Sequence, residues 1–180
     1  MSLLNLFGLT SQNSPEEKAA GETETVRAIV KKISALDSTQ ARYLAAFAYI
    51  LGRAANADRE ISPAEIEKMI ALLTQMGHLS QDQARLVVDL VIHQTTLFGS
   101  TEDYLVTREF KSISTPKQRE ELLDCLFAIA AADDSISAIE ENRIRQISSE
   151  LGFTHKAFVQ ARLAYSEKRE VMKLAKASRP

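Results

Sequence analysis

Two acidic stretches hold the residue types best suited to chemistry. The first reads Asn56-Ala57-Asp58-Arg59-Glu60-Ile61-Ser62-Pro63-Ala64-Glu65, and the second Ala131-Ala132-Asp133-Asp134-Ser135-Ile136-Ser137-Ala138-Ile139-Glu140. Asp58, Glu65, Asp133 and Glu140 offer hard oxygen donors of the kind that bind a divalent cation, and carboxylates held together also suit acid–base work. In each stretch a serine is followed three residues later by glutamate, the capping box of a helix start, and Pro63 at the first helical position reinforces the first copy. Capping therefore accounts for Glu65 and Glu140. It does not account for Asp58 and Asp133, which fall at the end of a preceding helix, where the helix dipole disfavours negative charge. Two readings stay open for them: acceptors of backbone N–H groups in a tight turn, or ligands of a cation held between the two copies.

The cadence also follows the second half of a calcium-binding EF-hand loop, with Asp58, Ile61, Ser62 and Glu65 at loop positions 5, 8, 9 and 12. Position 1 would then be Ala54 or Ile129, which are not ligands, and the glycine of position 6 is Arg59 or Asp134. A standard EF-hand is excluded by these departures. Cys125 lies among Leu122, Leu126 and Ile129 and reads as a buried, inert thiol. His78, His93 and His155 show no ligand spacing, and there is no glycine-rich phosphate loop, nucleophile elbow or paired-cysteine motif.

The elements that must position the acidic stretches are helices. Gly (6) and Pro (4) are scarce among 180 residues, which favours long helices over a turn-rich β protein. A first helix from Thr25 would turn Val26, Ile29, Val30, Ile33 and Leu36 inward. Asp37-Ser38 caps a second ending near Ala57. A third covers 63–76, with Gly77 as a left-handed C-cap, and Ser80 to Gln83 forms a capping box for a fourth carrying Ala84, Val87, Val88, Val91 and Ile92. A short helix from Thr101 and one from Ser114-Thr115-Pro116 follow. Ser137 opens another, closed by Gly152, and the last, from about Thr154, carries Phe158, Leu163 and Tyr165.

A shift of 75 residues lays Leu51, Ala55, Ala57, Asp58, Ile61, Ser62, Glu65 and Gly77 on Leu126, Ala130, Ala132, Asp133, Ile136, Ser137, Glu140 and Gly152. The matches fall on junctions and caps, so we read a duplication. The expected fold is all-α: a compact helical domain of two pseudo-two-fold-related four-helix units, about 25–98 and 99–172. Residues 1–24 would be an apolar arm (Leu3, Leu4, Leu6, Phe7, Leu9) with a polar linker, and 173–180 a basic tail. Arg162, Lys168, Arg169, Lys173, Lys176 and Arg179 read as a solvated, cationic helix end.

Composition bounds the function. Hydrophobic residues at 45% and charged residues at 26% exclude wholesale disorder. The net charge of −2 argues against nucleic acid as a partner. No apolar run reaches the ~18 residues of a membrane span, and the first nine residues lack the basic flank and cleavage site of a signal peptide. With a single cysteine, Cys125, the expectation is a cytoplasmic protein without disulfides.

Ala131-Ala132-Asp133-Asp134 with Ile136-Ser137 and Glu140, preceded by LFAIA and followed by RIRQISSELGF, resembles the tellurite-resistance protein B-like (TerB-like) family, as does AANADREIS with Glu65. The resemblance covers about 25–170. It implies a small, internally duplicated helical domain linked to tellurite and chemical-stress resistance, with protein partners that include membrane-associated assemblies at the inner face of the membrane. It also implies a metal ion, and the family's acidic positions fall on Asp58, Glu65, Asp133 and Glu140. The motif's glycine is Arg59 in one copy and Asp134 in the other, and Arg59 would neutralise the first site. The expected function is a non-enzymatic, stress-associated module holding a divalent cation at the paired junctions. A metal-independent adaptor and an enzyme using the clustered carboxylates are the alternatives.

Overall fold

The eight-residue run Leu44-Ala45-Ala46-Phe47-Ala48-Tyr49-Ile50-Leu51 has no polar face, and a helix apolar all round must be enclosed by others. The computed structural model, which describes residues 23–31, 38–58, 61–77, 79–97, 100–170 and 173–174, places this run in a central helix, α2 (Ser38–Ala55). Packed around it are α1 (Glu24–Val30), α3 (Pro63–Gly77), α4 (Gln81–Leu97), α5 (Ser100–Ile113), α6 (Pro116–Ala130) and α7 (Ala138–Leu151). The last helix, α8 (His155–Leu163), lies on α6 and α7, and a 3₁₀ turn follows at Ser166–Lys168. No strand occurs among the described residues. The chain is all-α.

The surrounding helices are amphipathic and contribute one face each: Val26 and Ile29 from α1, Met69 and Leu73 from α3, Val87, Val88 and Val91 from α4, and Leu122, Leu126 and Ile129 from α6. Each fully buried aliphatic side chain of this kind contributes about 1.5–3 kcal/mol of transfer free energy. Aromatic rings gather in two clusters. Phe110 meets Tyr43 at 5.2 Å and Phe47 at 6.3 Å, while Phe127 meets Phe158 at 5.7 Å and stacks on Tyr165 at 5.5 Å.

The expected caps form. Ser80 and Gln83 exchange both capping-box hydrogen bonds, as do Thr115 and Gln118. Gly152 closes α7 in the left-handed conformation at φ 93°. Gly77 departs from the expectation. It is the last residue of α3, not a left-handed cap, and among the described glycines only Gly152 has positive φ. The reason for glycine there is space: a Cβ on Gly77 would lie 2.6 Å from Leu44 Cδ2. Three further differences concern the helices. The one expected to be short, α5, runs 14 residues, α2 stops at Ala55, and Leu163 is 62% exposed rather than inward. Ile33, Leu36, Asp37, His78, Arg59 and the arm and linker up to residue 22 lie outside the described residues.

One cation is enclosed with the core. Arg53 of α2, its side chain 2% exposed, forms a two-pronged pair with Glu150 of α7, Nη1 to Oε2 at 2.5 Å and Nη2 to Oε1 at 2.9 Å. Its Nε lies 3.3 Å from Asp103 Oδ2 of α5, and its Nη1 donates to Thr107 Oγ1 at 2.9 Å. Tyr49 Oη donates to the other Asp103 oxygen at 3.1 Å. A buried charge needs pairing, and Arg53 has it on both sides, although its enclosed Nε faces Asp103 without a hydrogen bond among the described residues; the network fixes α2, α5 and α7 to one another. A second tie anchors α1, where Glu109 of α5 accepts from Thr23 N and from Arg42 Nε, both at 2.7 Å.

Candidate functional site

The two acidic stretches become the α2–α3 and α6–α7 junctions, and their caps repeat closely. Ser62 N donates to Glu65 Oε2 at 2.7 Å, and Glu65 N to Ser62 Oγ at 3.2 Å. Ser137 N donates to Glu140 Oε2 at 2.8 Å, and Glu140 N to Ser137 Oγ at 3.2 Å. Both glutamates are buried, Glu65 at 4% and Glu140 at 8% exposure. Each spends one carboxylate oxygen on its cap. In Glu65 the other, Oε1, is enclosed without a hydrogen-bond partner among the described residues.

Burial controls the electrostatics. Desolvation pushes the Glu65 carboxyl from its ordinary 4.5 up to about 7. The bonds from Ser62 oppose the shift, and the charges of Glu140 and Asp133 add to it. Glu140 is raised for the same primary reason, with Asp58 and Asp133 as its charged neighbours. Glu65 and Glu140 thus each lie in the field of the other junction, Glu65 in that of Glu140 and Asp133, and Glu140 in that of Asp58 as well as of its own neighbour Asp133. The fold does not gather the four as a finished ligand cage: among the described residues, no three His, Cys, Asp or Glu side chains are arranged to hold a metal.

Asp133 and Asp58 are exposed. Asp133 Oδ1 accepts from Ser135 N at 3.1 Å, the turn role that is one of the two readings open for it. The next residue, Asp134, has φ 69°. That left-handed conformation, which glycine and to a lesser extent Asp and Asn tolerate, explains why glycine suits this position. The isolated side chains are as expected. Cys125 is buried beside Met76, with its thiol pushed up to about 11 by desolvation. His93 and His155 are exposed.

Sequence reasoning missed what lies over the second junction. Of the residues read as a solvated helix end, Arg162 lies in α8 while Lys168, Arg169 and Lys173 follow its end at Leu163, and Lys176 and Arg179 lie outside the described residues. Ile136 N donates to Lys168 O at 2.9 Å and Glu170 N to Ile136 O at 3.1 Å, forming an isolated parallel bridge. Lys168 Nζ pairs with the Asp134 carboxylate and Lys173 Nζ bonds the Asp134 carbonyl. Glu141 is gripped by Arg169 at 2.6 Å and Arg162 at 2.8 Å, which hold its carboxyl below the usual range against the opposing effect of burial. The one signal in the chain was opposite charge at 34 residues' separation, which has no local periodicity to reveal it. The same segment walls a groove of about 660 Å³ whose floor is Ala64 and Ala71 of α3 and Ala128 of α6, continuing through Ala131 and Ala132. Ala64 and Ala132 are the chain neighbours of Glu65 and Asp133, but none of the four carboxylates lines the groove.

Among the described residues, no helix is long and apolar enough to cross a membrane. Comparison with curated proteins and with solved structures gives no match. The family model described as Tellurite resistance protein TerB matches residues 44–163, from the first buried turn of α2 to the end of α8, and so includes both acidic junctions. With two thirds of its length so matched, the chain belongs to the tellurite resistance protein TerB family.

Proposed function

We propose that this TerB-family protein is a non-enzymatic, stress-associated module whose two acidic junctions together hold one divalent cation. The observation that carries the reading is Glu65 Oε1, a buried carboxylate oxygen with no partner among the described residues, in the field of Glu140 and Asp133. An enclosed anionic oxygen among like charges is costly, and a cation removes that cost. Glu65 would bind through Oε1, while Glu140, Asp133 and Asp58 supply negative charge. Oxygen donors select a hard ion such as calcium or magnesium, and water completes the shell, as it does for magnesium bound through one or two carboxylates. The module acts by contact with other proteins, in the cytoplasm and at membrane-associated assemblies, in keeping with the functions linked to the family.

A metal-independent adaptor is the second reading. It is favoured by the Asx turn at Asp133 and by the absence of a three-ligand group among the described residues. Thermal melts of wild type, Asp133→Asn and Ser137→Ala, with chelator or with calcium, magnesium or zinc, separate the two. With a bound ion, wild type gains RT ln(1 + [L]/Kd) of stability and Asp133→Asn loses that gain while remaining neutral or better in chelator. Ser137→Ala costs about 1 kcal/mol with or without ion, through its cap alone. A wild-type midpoint indifferent to all three ions at millimolar concentration removes the cation from the reading and leaves the adaptor.

A further inference from the structure

Residues 166–170, together with Lys173, grip the loop that carries the second junction. We propose that this segment is an electrostatic latch: Lys168 and Lys173 act as built-in counter-cations at Asp134, and a divalent cation entering at the acidic junctions competes with them. The inference rests on the cation reading above and adds a regulator to it.

Three observations support the competition. First, the latch attaches at Asp134, Ser135 and Ile136, between Asp133 on the same loop and Glu140 in the first turn of α7. Second, its contacts at Asp134 are exposed and polar, whereas the Arg169–Glu141 pair is more enclosed. Lys168 and Asp134 are 41% and 79% exposed, and such pairs are weak and screened by salt. The proximal end is firmer, because Tyr165 stacks on Phe127 and donates from its hydroxyl to Asp124 O at 3.2 Å. Release therefore begins beyond Tyr165 and leaves α8 in place. Third, the two junctions differ here: among the described residues no bridge pairs with Ile61, the counterpart of Ile136. The latch also lies past residue 163, where the family match ends, so it is a feature of this chain outside the matched region.

A dication beside Asp133 repels both ammonium groups, and by linkage the latched lysines weaken the ion to the same degree. Lys168 also lines the groove over α3 and α6, so loosening the latch widens that groove when the ion binds.

Amide exchange and calorimetry on the full chain test the proposal. The N–H groups of Ile136 and Glu170, which form the bridge, are followed with chelator and with saturating calcium or magnesium, against the core amide of Ile147 as reference. Ion affinity is measured for wild type and for the double variant Lys168→Met, Lys173→Met at low and high salt. The expected result is faster exchange at both bridge amides with ion, and about fivefold tighter binding in the variant at low salt, from removal of nearby positive charge. That advantage should shrink at high salt. Binding by the variant with none by wild type would also support the latch. Equal affinity with unchanged or slowed bridge exchange overturns the latch and leaves the cation site standing. Absence of binding by both proteins removes the cation reading and this competition with it.

Discussion

At the residue scale, Glu65 has two conflicting assignments. Its Oε2 is a helix cap, which any acceptor satisfies, while its Oε1 is enclosed and unpartnered among the described residues, in the field of Glu140 and Asp133. Glutamine in a capping box keeps the first and removes the second. The pH dependence follows from the raised carboxyl. The folded state holds the proton up to about pH 7, whereas the unfolded chain loses it near the ordinary 4.5. This group's stabilising contribution is therefore complete below about 4.5 and is lost as pH rises through about 7. In chelator, Glu65→Gln should match wild type below pH 4.5 and exceed it at pH 8 by on the order of 2 kcal/mol in denaturant unfolding. A constant difference across that range would show that the carboxyl titrates normally and that Oε1 is not under strain. The caps themselves were legible in the sequence, since Ser-x-x-Glu is local. The orphaned oxygen was not, because it depends on what encloses the side chain.

At the element scale, the paired glycines show how one sequence signal can have two causes. Gly77 and Gly152 coincide under the 75-residue shift and both follow an apolar helix face, so both read as left-handed caps. Only Gly152 is one, because α3 continues through Gly77 and Leu44 of α2 closes on its bare Cα. The helix order and the capping boxes were legible from periodicity and end signals. A close approach between helices was not, because glycine at a helix end looks the same whether it supplies φ or space. The two substitutions to alanine should differ in how they can be rescued. Gly77→Ala overpacks against Leu44 and costs about 1–3 kcal/mol. Leu44→Val, which shortens the opposing side chain, should recover part of that cost in a double-mutant cycle. Gly152→Ala strains its own backbone by roughly 1–2 kcal/mol, and no Leu44 change should help it. Additive energies for Leu44→Val with Gly77→Ala would count against the close-approach account.

At the scale of the whole molecule, the placement of the junctions depends on helices far apart in sequence. Arg53 reaches Asp103 and Thr107 on α5 and Glu150 on α7, partners 50 to 97 residues away, and does so from within the central helix. In the sequence it is one more charge near a helix end, and nothing local distinguishes it from a solvated arginine; the latch lysines were opaque for the same reason. Apolar periodicity identifies which face of a helix is buried, but it does not say which buried charges will meet. The network also couples architecture to site, because α2 and α7 each form one side of a junction, and Arg53 fixes their spacing at Glu150. Arg53→Ala leaves two mostly enclosed carboxylates, Asp103 and Glu150, without their principal counter-charge and should cost about 3–5 kcal/mol in equilibrium unfolding. Arg143, 3.9 Å from Asp103, offsets little of this from its half-exposed position. Since desolvation already raises the Asp103 carboxyl with Arg53 present, removal of the arginine should make the variant recover stability on acidification, as protonation relieves the stranded charge. Loss of less than about 1 kcal/mol would mean that water hydrates these carboxylates in place of Arg53. The three helices would then be held together by their apolar faces, with the Tyr49–Asp103 hydrogen bond as a remaining polar tie between α2 and α5.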